Sequence, residues 1–384
     1  MHALLSFAWP AFPQPFASWQ FLLVPILLAW LLIGQKVAAS GLSIKDCPQY
    51  IDGFNYSEKK NYRFNCNISG IEETDLILMI GCNPRFEATI LNSRIRKSYL
   101  KNKLPIYSTN NIGDQTYSYN ILDNSTSLIK EIVEDRHFIA KKIIQSSKPI
   151  IIIGQSVLKK KSGKYIFEEL KKFLSKNNKI NDDWNSLNIL SKDASTVGSY
   201  DLTLFSSNKG RNLLLEKLRE NYIDLLFLIG QDKLKIEKSG KYIVYIGSHG
   251  DEGAKNSDLI LPGSAFTEQD GYYTNLEGRL QKAYKASYPT EEAKEDWFII
   301  NEIAKLVREK TLFKDKNELL DNMFNYLKQP RKEEFVKTDY NFVSEKISIE
   351  DIDYYFSNVI AKNSKTMSEC RSLRSNLEKT GTDG

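Results

Sequence analysis

Residues 75–97, DLILMIGCNPRFEATILNSRIRK, decide the fold of this chain. Leu76 to Ile80 is an apolar run without polar alternation, closed by Gly81. Such a run reads as a strand buried on both faces, and strands of that kind belong to parallel sheets covered by helices. Pro84 then suits the first turn of a helix, and Phe86, Ile90, Leu91, Ile95 and Tyr99 follow at a spacing that puts them on one helical face. The same order of apolar run and glycine returns at Pro149–Gly154 (PIIIIG), Asp224–Gly230 (DLLFLIG) and Lys241–Gly247 (KYIVYIG). Ile166, Leu170, Phe173 and Leu174 mark a second helical face, and a further helix is expected over Leu213 to Arg219. The expected class is therefore α/β, with open, mostly parallel sheets.

A second stretch, 258–281, reads DLILPGSAFTEQDGYYTNLEGRLQ. Asp258 to Leu261 is expected to be a buried strand stopped by Pro262, which has no N–H to give to a ladder. Beyond it Tyr272-Tyr273-Thr274 forms a β-prone run between Gly271 and the Asn275–Gly278 turn, as one arm of a hairpin. Glu268, Asn275, Glu277 and Arg279 crowd this loop more densely than a bare connection requires. On the residues alone, Glu277 and Arg279 also read as ordinary solvated side chains.

In open parallel sheets, ligands bind beyond the carboxyl ends of the strands. Two of the glycine-ended runs continue into polar clusters there: Asn83, Arg85 and Glu87 after Gly81, and His249 with Asp251 after Gly247. A helix starting at Pro84 would aim its N-terminus at an anion. Yet no GxGxxG follows any strand and no GxxxxGK[ST] occurs, which disfavours dinucleotide and P-loop chemistry. His249 has no recognisable nucleophile beside it and only Asp251 to orient it, so it makes a poor free-standing base.

Composition narrows the classes further. With 384 residues, 41% hydrophobic and 26% charged, the chain exceeds one average domain and has a globular balance. The net charge of +5 is small for this length and gives no reason to invoke nucleic acid. The lysines from Lys159 to Lys176 read as a solvated helix face. Cys47, Cys66, Cys82 and Cys370 lie far apart with no CxxC, so a locally encoded zinc or iron–sulfur motif is absent. Ala3 to Gln35 carries no charge and includes FLLVPILLAWLLIG at 21–34, a hydrophobic N-terminal helix in expectation. Its length is near the lower limit for a bilayer span. Membrane anchor, cleaved targeting segment and partner-packed helix remain open for it. The expected divisions are a leader at 1–40, a first α/β lobe at 41–154, a second at 155–330, and a helical extension with a polar tail at 331–384.

Residues 75–97, together with 247–281 and Glu295-Asp296-Trp297, resemble the large iron–sulfur subunit of respiratory complex I. The resemblance is to its C-terminal, molybdopterin-oxidoreductase-like part, and it covers most of 41–375, with weaker matches at 188–195 and 367–370. It implies a structural or accessory subunit in the peripheral arm of NADH:ubiquinone oxidoreductase, on the matrix side of the mitochondrial inner membrane. It also implies peripheral-arm partners and iron–sulfur clusters held by a partner chain, since the cysteine-rich N-terminal portion of that family has no counterpart here. A split subunit, its cluster-bearing half a separate polypeptide, is the expected arrangement. No cofactor or catalytic centre is expected on this chain. Asn83, Arg85, Glu87, His249, Asp251, Glu268, Asn275, Glu277 and Arg279 then become inherited residues that fix loops. The alternative is a fragment of a molybdopterin-dependent oxidoreductase.

Overall fold

The computed structural model describes residues 5–7, 55–191, 196–202, 224–230, 238, 240–250, 252–329, 340–349 and 353–380. The expected N-terminal hydrophobic helix and the helix over Leu213 to Arg219 lie outside them, as does Asp251. Among the described residues no helix is long and apolar enough to cross a membrane.

Among the described residues eleven strands follow in chain order: β1 Leu5–Phe7, β2 Leu76–Ile80, β3 Ile106–Ser108, β4 Asn120–Ile121, β5 Pro149–Gly154, β6 Leu187–Leu190, β7 Leu225–Ile229, β8 Tyr242–Gly247, β9 Leu259–Pro262, β10 Gly271–Thr274 and β11 Leu280–Ala283. They form a sheet ordered β4-β3-β2-β5-β6, a sheet ordered β1-β7-β8-β9, and the hairpin β10-β11. Every pairing in the two larger sheets is parallel, whereas the hairpin is antiparallel. The open parallel sheets expected from the glycine-ended runs are thus present. β6 lies beyond residue 154 yet pairs with β5, so the first sheet crosses the expected boundary there.

The central strands explain why their sequences do not alternate. Leu76, Leu78 and Ile80 of β2 and Ile151 and Ile153 of β5 face one core, while Ile77, Met79, Ile150 and Ile152 face another. Fully burying a side chain of this size is worth about 1.5–3 kcal/mol, so these two strands are the main stabilising ribs of the sheet. Helix Gly163–Lys176 covers the first face with Ile166, Phe167, Leu170, Phe173 and Leu174, as its spacing predicts. That core continues into the second sheet through Phe227, Ile229, Val244 and Ile246 and into helix Asp296–Arg308 through Ile300.

Three expectations need correction. β9 is not a buried strand: Leu259 and Ile260 are exposed, because β9 pairs with β8 on one side and is an edge of its sheet. Ile90 does not share the buried face of helix Thr89–Asn102, since it stands at the second helical residue, where the helix emerges, and is exposed while Leu91 and Ile95 are buried. Lys164 is buried among the supposedly solvated lysines, its ammonium 5.6 Å from the centre of the Tyr340 ring.

Candidate functional site

At the carboxyl edge of the first sheet three strand ends converge. Gly81 follows β2 with φ +57 and donates its N–H to Thr109 Oγ1 (3.1 Å), just past β3. Its carbonyl accepts from Ser156 Oγ (2.7 Å), beyond β5. A Cβ on Gly154 would sit 2.1 Å from the Gly81 oxygen, so glycine there is what lets β2 and β5 end side by side. Such a junction is the expected place for a ligand.

The chain's own segment 340–349 occupies this edge. Ile347 is fully buried, and a Cβ on Gly81 would meet its Cγ2 at 2.8 Å. Asn110 Nδ2 donates to the Ile347 carbonyl (2.9 Å), and the Ile347 N–H donates to Asn124 O (2.6 Å). On either side, Thr126 N–H donates to Glu345 O (2.9 Å), Ser162 N–H to the Glu345 carboxylate (3.1 Å) and Val343 N–H to Ser162 Oγ (2.8 Å). Backbone and side-chain bonds together fix the segment as a strap across the strand ends.

The candidate residues after Gly81 serve their own loop. The Asn83 N–H donates to the Glu87 carboxylate (2.6 Å), which reaches back over the turn. Asn83 Nδ2 donates to Ile112 O (3.2 Å) and its Oδ1 accepts from Gln115 Nε2 (3.0 Å), so its amide is committed to the 112–115 loop. Arg85 pairs with Asp114 (2.7 Å) at the surface, where such a pair contributes little to stability. Hydrogen bonds from the Thr116 N–H and from Arg85 hold the Asp114 carboxyl below the usual range. Cys82 is wholly buried, and burial, with the charge of Glu87 behind it, pushes its thiol well above the usual value.

The second cluster is a clasp. Asn275 organises its turn: its Oδ1 accepts from the N–H groups of Glu277 (3.1 Å) and Arg279 (2.8 Å), and its Nδ2 donates to the Glu277 carboxylate (3.0 Å). Glu277 Oε1 in turn accepts from Ile68 N–H (2.5 Å), and Phe64 N–H donates to Leu276 O (2.9 Å). Gly278, at φ +85, lies under Arg63, where a Cβ would come within 2.3 Å of the guanidinium carbon. Arg63 pairs with Asp201 (2.6 Å), which also accepts from Tyr62 Oη (2.7 Å). The hairpin is thereby bolted to segment 62–68, which runs along β6 through the Phe64–Asn188 bridge. Glu277 is engaged, whereas Arg279 is exposed and contributes its backbone N–H.

Glu268 accepts from Ala265 N–H (2.9 Å) within its own loop. His249 is exposed and its Nδ1 lies 2.8 Å from Ser248 Oγ. Of the sequence candidates, Glu87 and Asn275 line one cavity of about 620 Å³, together with Ile90, Val197, Phe266 and Tyr284. Among the described residues no group of three or more His, Cys, Asp or Glu side chains is arranged to hold a metal ion.

Sequence reasoning missed Gln115, Ile347 and the Arg63–Asp201 pair, and it quoted Asp296 without a role. Asp296 begins helix Asp296–Arg308 and is buried, with its Oδ1 2.6 Å from where a Gly263 Cβ would stand. Burial pushes its carboxyl up to about 7, against a lowering hydrogen bond from Gln269 and with a smaller rise from Glu295.

Comparison with known proteins places this geometry. The G subunit of NADH-quinone oxidoreductase from Rickettsia bellii (strain RML369-C) is 35% identical over 365 residues, covering 90% of this chain and 50% of that protein. The NADH-ubiquinone oxidoreductase 75 kDa subunit of Reclinomonas americana is 34% identical, covering 83% of this chain and 48% of that protein. For the mitochondrial 78 kDa subunit of Candida albicans (strain SC5314 / ATCC MYA-2876) the identity is 32%, covering 85% and 46%. The chain thus spans about half the length of the curated relatives it matches. Among solved structures, acetylene hydratase from Pelobacter acetylenicus shares the fold with a TM-score of 0.52 at 13% identity, covering 92% of this chain and 61% of that one. The sequence model of molybdopterin oxidoreductases matches residues 28–306, and the chain belongs to the molybdopterin oxidoreductase family.

Proposed function

We propose that the chain is a structural subunit of the peripheral arm of NADH:ubiquinone oxidoreductase, working on the matrix side of the mitochondrial inner membrane. In this reading it packs beside a cluster-bearing polypeptide, the other half of a split subunit, and makes no catalytic contribution of its own. The observation that carries the reading is similarity over 90% of the chain to a protein named as the G subunit of NADH-quinone oxidoreductase.

A molybdopterin-type cofactor does not fit the carboxyl edge of the first sheet. Ile347 fills the space over Gly81, and Asn110, which faces that space, is bonded to the Ile347 carbonyl. Cys82, the thiol next to this edge, is fully buried, and burial pushes it well above the usual thiol value. Asn83, Arg85, Glu87, Asn275 and Glu277 make hydrogen bonds or ion pairs within the chain, which supports a loop-fixing role for them. Glu268 braces its own loop, and Arg279 acts through its backbone alone in the Asn275 turn. His249, with Asp251, is assigned the same structural role, supported by the engagement of its Nδ1 with Ser248.

Affinity purification of the full chain from its native membranes, followed by native electrophoresis and mass spectrometry, tests the assignment. The chain is expected to migrate with flavin- and cluster-bearing subunits. Migration as a free monomer, or stoichiometric molybdenum or tungsten by elemental analysis, would overturn it.

A further inference from the structure

A Cβ on Gly263 would lie 2.6 Å from Asp296 Oδ1 and 3.2 Å from Gly247 N, so the Asp296 carboxyl is set against the carboxyl ends of β8 and β9. Ser264 and Gln269 are buried with it. Gln269 gives Asp296 a hydrogen bond, and its Nε2 donates to Ser264 O (3.4 Å). Among the described residues, Asp296 Oδ1 and Ser264 Oγ have no hydrogen-bond partner. A hydroxyl can donate and a carboxylate can only accept, so the two orphans are complementary.

Residues 263–269, between β9 and β10, tie this carboxyl to the cavity of about 620 Å³. At the inner end the Gly263 N–H donates to Gly247 O (3.0 Å) and the Ser264 N–H to Lys294 O (2.8 Å), just before Asp296. At the outer end Phe266 and Thr267 line the cavity, and Thr267 O accepts from the N–H groups of Ala286 (2.7 Å) and Ser287 (3.1 Å). Ala286 is part of the same wall. A shift at Ser264 is therefore passed along a few residues to the cavity.

We infer that Asp296 is a proton-operated latch on this cavity, coupled to its wall through Ser264 and the 263–269 segment. With the proton on, the segment rests as described. With the proton off, a buried charge held by one donor is costly, and the carboxylate draws in the Ser264 hydroxyl as a second, moving Phe266 and Thr267. Burial raises the carboxyl to about 7, so the change falls near neutral pH. The charged groups around it do not replace Ser264 in this role. Glu295 only adds to the rise, and Lys316 Nζ is committed to Glu295 Oε2 (2.5 Å) and Asp270 O (3.1 Å). Lys294 is exposed and offers its backbone, and His249, beyond Gly247, is exposed with its Nδ1 on Ser248. The Glu268 carboxylate accepts from Ala265 N–H and that of Asp270 from Lys285 N–H.

The test compares the full chain with its Asp296→Asn variant at matched pH, so that the intrinsic pH dependence of amide exchange cancels. Infrared difference spectra are expected to show a buried protonated carboxyl that disappears as pH rises through about 7 and is absent from the variant. A pH unit below that value, amides 264–269 and 284–287 should exchange alike in the two chains. A pH unit above it they are expected to differ at least about threefold, while the amides of β2 and β5 stay alike. Ser264→Ala keeps the carboxyl and removes the second donor: the infrared titration should persist, and the change at 284–287 should vanish. If Asp296→Asn does not fold, the original chain and Ser264→Ala supply the same comparison across pH. Absence of a titrating carboxyl would overturn the inference, as would equal exchange above the titration or an exchange change spread evenly over both sheets. So would a Ser264→Ala chain that keeps the full change at 284–287.

Discussion

Glu277 accepts a hydrogen bond from the backbone N–H of Ile68 at 2.5 Å, across 209 positions of sequence. This bond closes the clasp between the β10-β11 hairpin and the segment beside β6, and the same carboxylate also accepts from Asn275. Glu277→Ala leaves both donors without their partner, so a loss of about 1–3 kcal/mol in unfolding free energy is expected. Glu277→Gln keeps an acceptor oxygen and is expected to lose less. Urea denaturation of the full chain measures both, and equal losses for the two variants would argue against the clasp.

Gly278 predicts a steeper penalty than a turn glycine in open space. Its φ of +85 is disfavoured for any L side chain, and Arg63 already fills the space a Cβ would take. Gly278→Ala is expected to destabilise by more than about 1 kcal/mol. Gly240, with φ +69 and nothing within 4 Å of the place a Cβ would take, is the internal control and should lose less on the same substitution. Thermal melts of the two variants side by side give the comparison.

The strap offers a third measurement. Ile347 is wholly buried against the strand ends, so Ile347→Ala is expected to cost about 2–5 kcal/mol, with faster proteolysis within 340–349. A change below about 1 kcal/mol would mean that the segment lies on the sheet without supporting it.

Asp296 sets a pH dependence with a definite sign. Its carboxyl is raised from 3.8 to about 7 in the folded chain. Folded protein therefore binds more protons than unfolded between those values, and stability falls as pH rises through that window, then levels above about 7. Asp296→Asn should flatten this part of the stability profile. A profile that keeps its slope in the variant would assign the effect to another group.

Cys66 and Cys82 are expected to resist alkylation in the native chain, since burial raises both thiols and hides them, while Cys370 is partly exposed. Among the three described cysteines, peptide mapping after brief maleimide treatment should find Cys370 labelled first, and Cys66 and Cys82 only in denaturant. Early labelling of Cys82 would show that the strand ends open readily.

The strands that the sequence announces are those whose neighbours lie on every side. β2, β5, β7 and β8 show as unbroken apolar runs because helices and partner strands cover them. β9 carries the same apolar signature while Leu259 and Ile260 stand exposed, since periodicity does not tell an edge from a centre. β3 and β4 are too short to leave a pattern. Within the site, the polar cluster of Asn83, Arg85 and Glu87 after Gly81 is legible, but the bond from the Asn83 N–H to Glu87 is seen only in the structure. The Ile347 plug is not legible: residues 345–350 read EKISIE, with no period that points to a strand end far up the chain. Arg63 and Asp201 meet across 138 positions, and nothing local to either announces the other.

The strap also imposes an order on synthesis. Because Ile347 caps an edge built from residues 76–190, a ribosome has made that sheet long before it releases the residue that closes it. Until then Gly81, Asn110 and Asn124 lack the cover and the bonds that Ile347 gives them. Protease digestion of nascent chains arrested before and after residue 347 has cleared the exit tunnel should show protection of the first sheet arriving late.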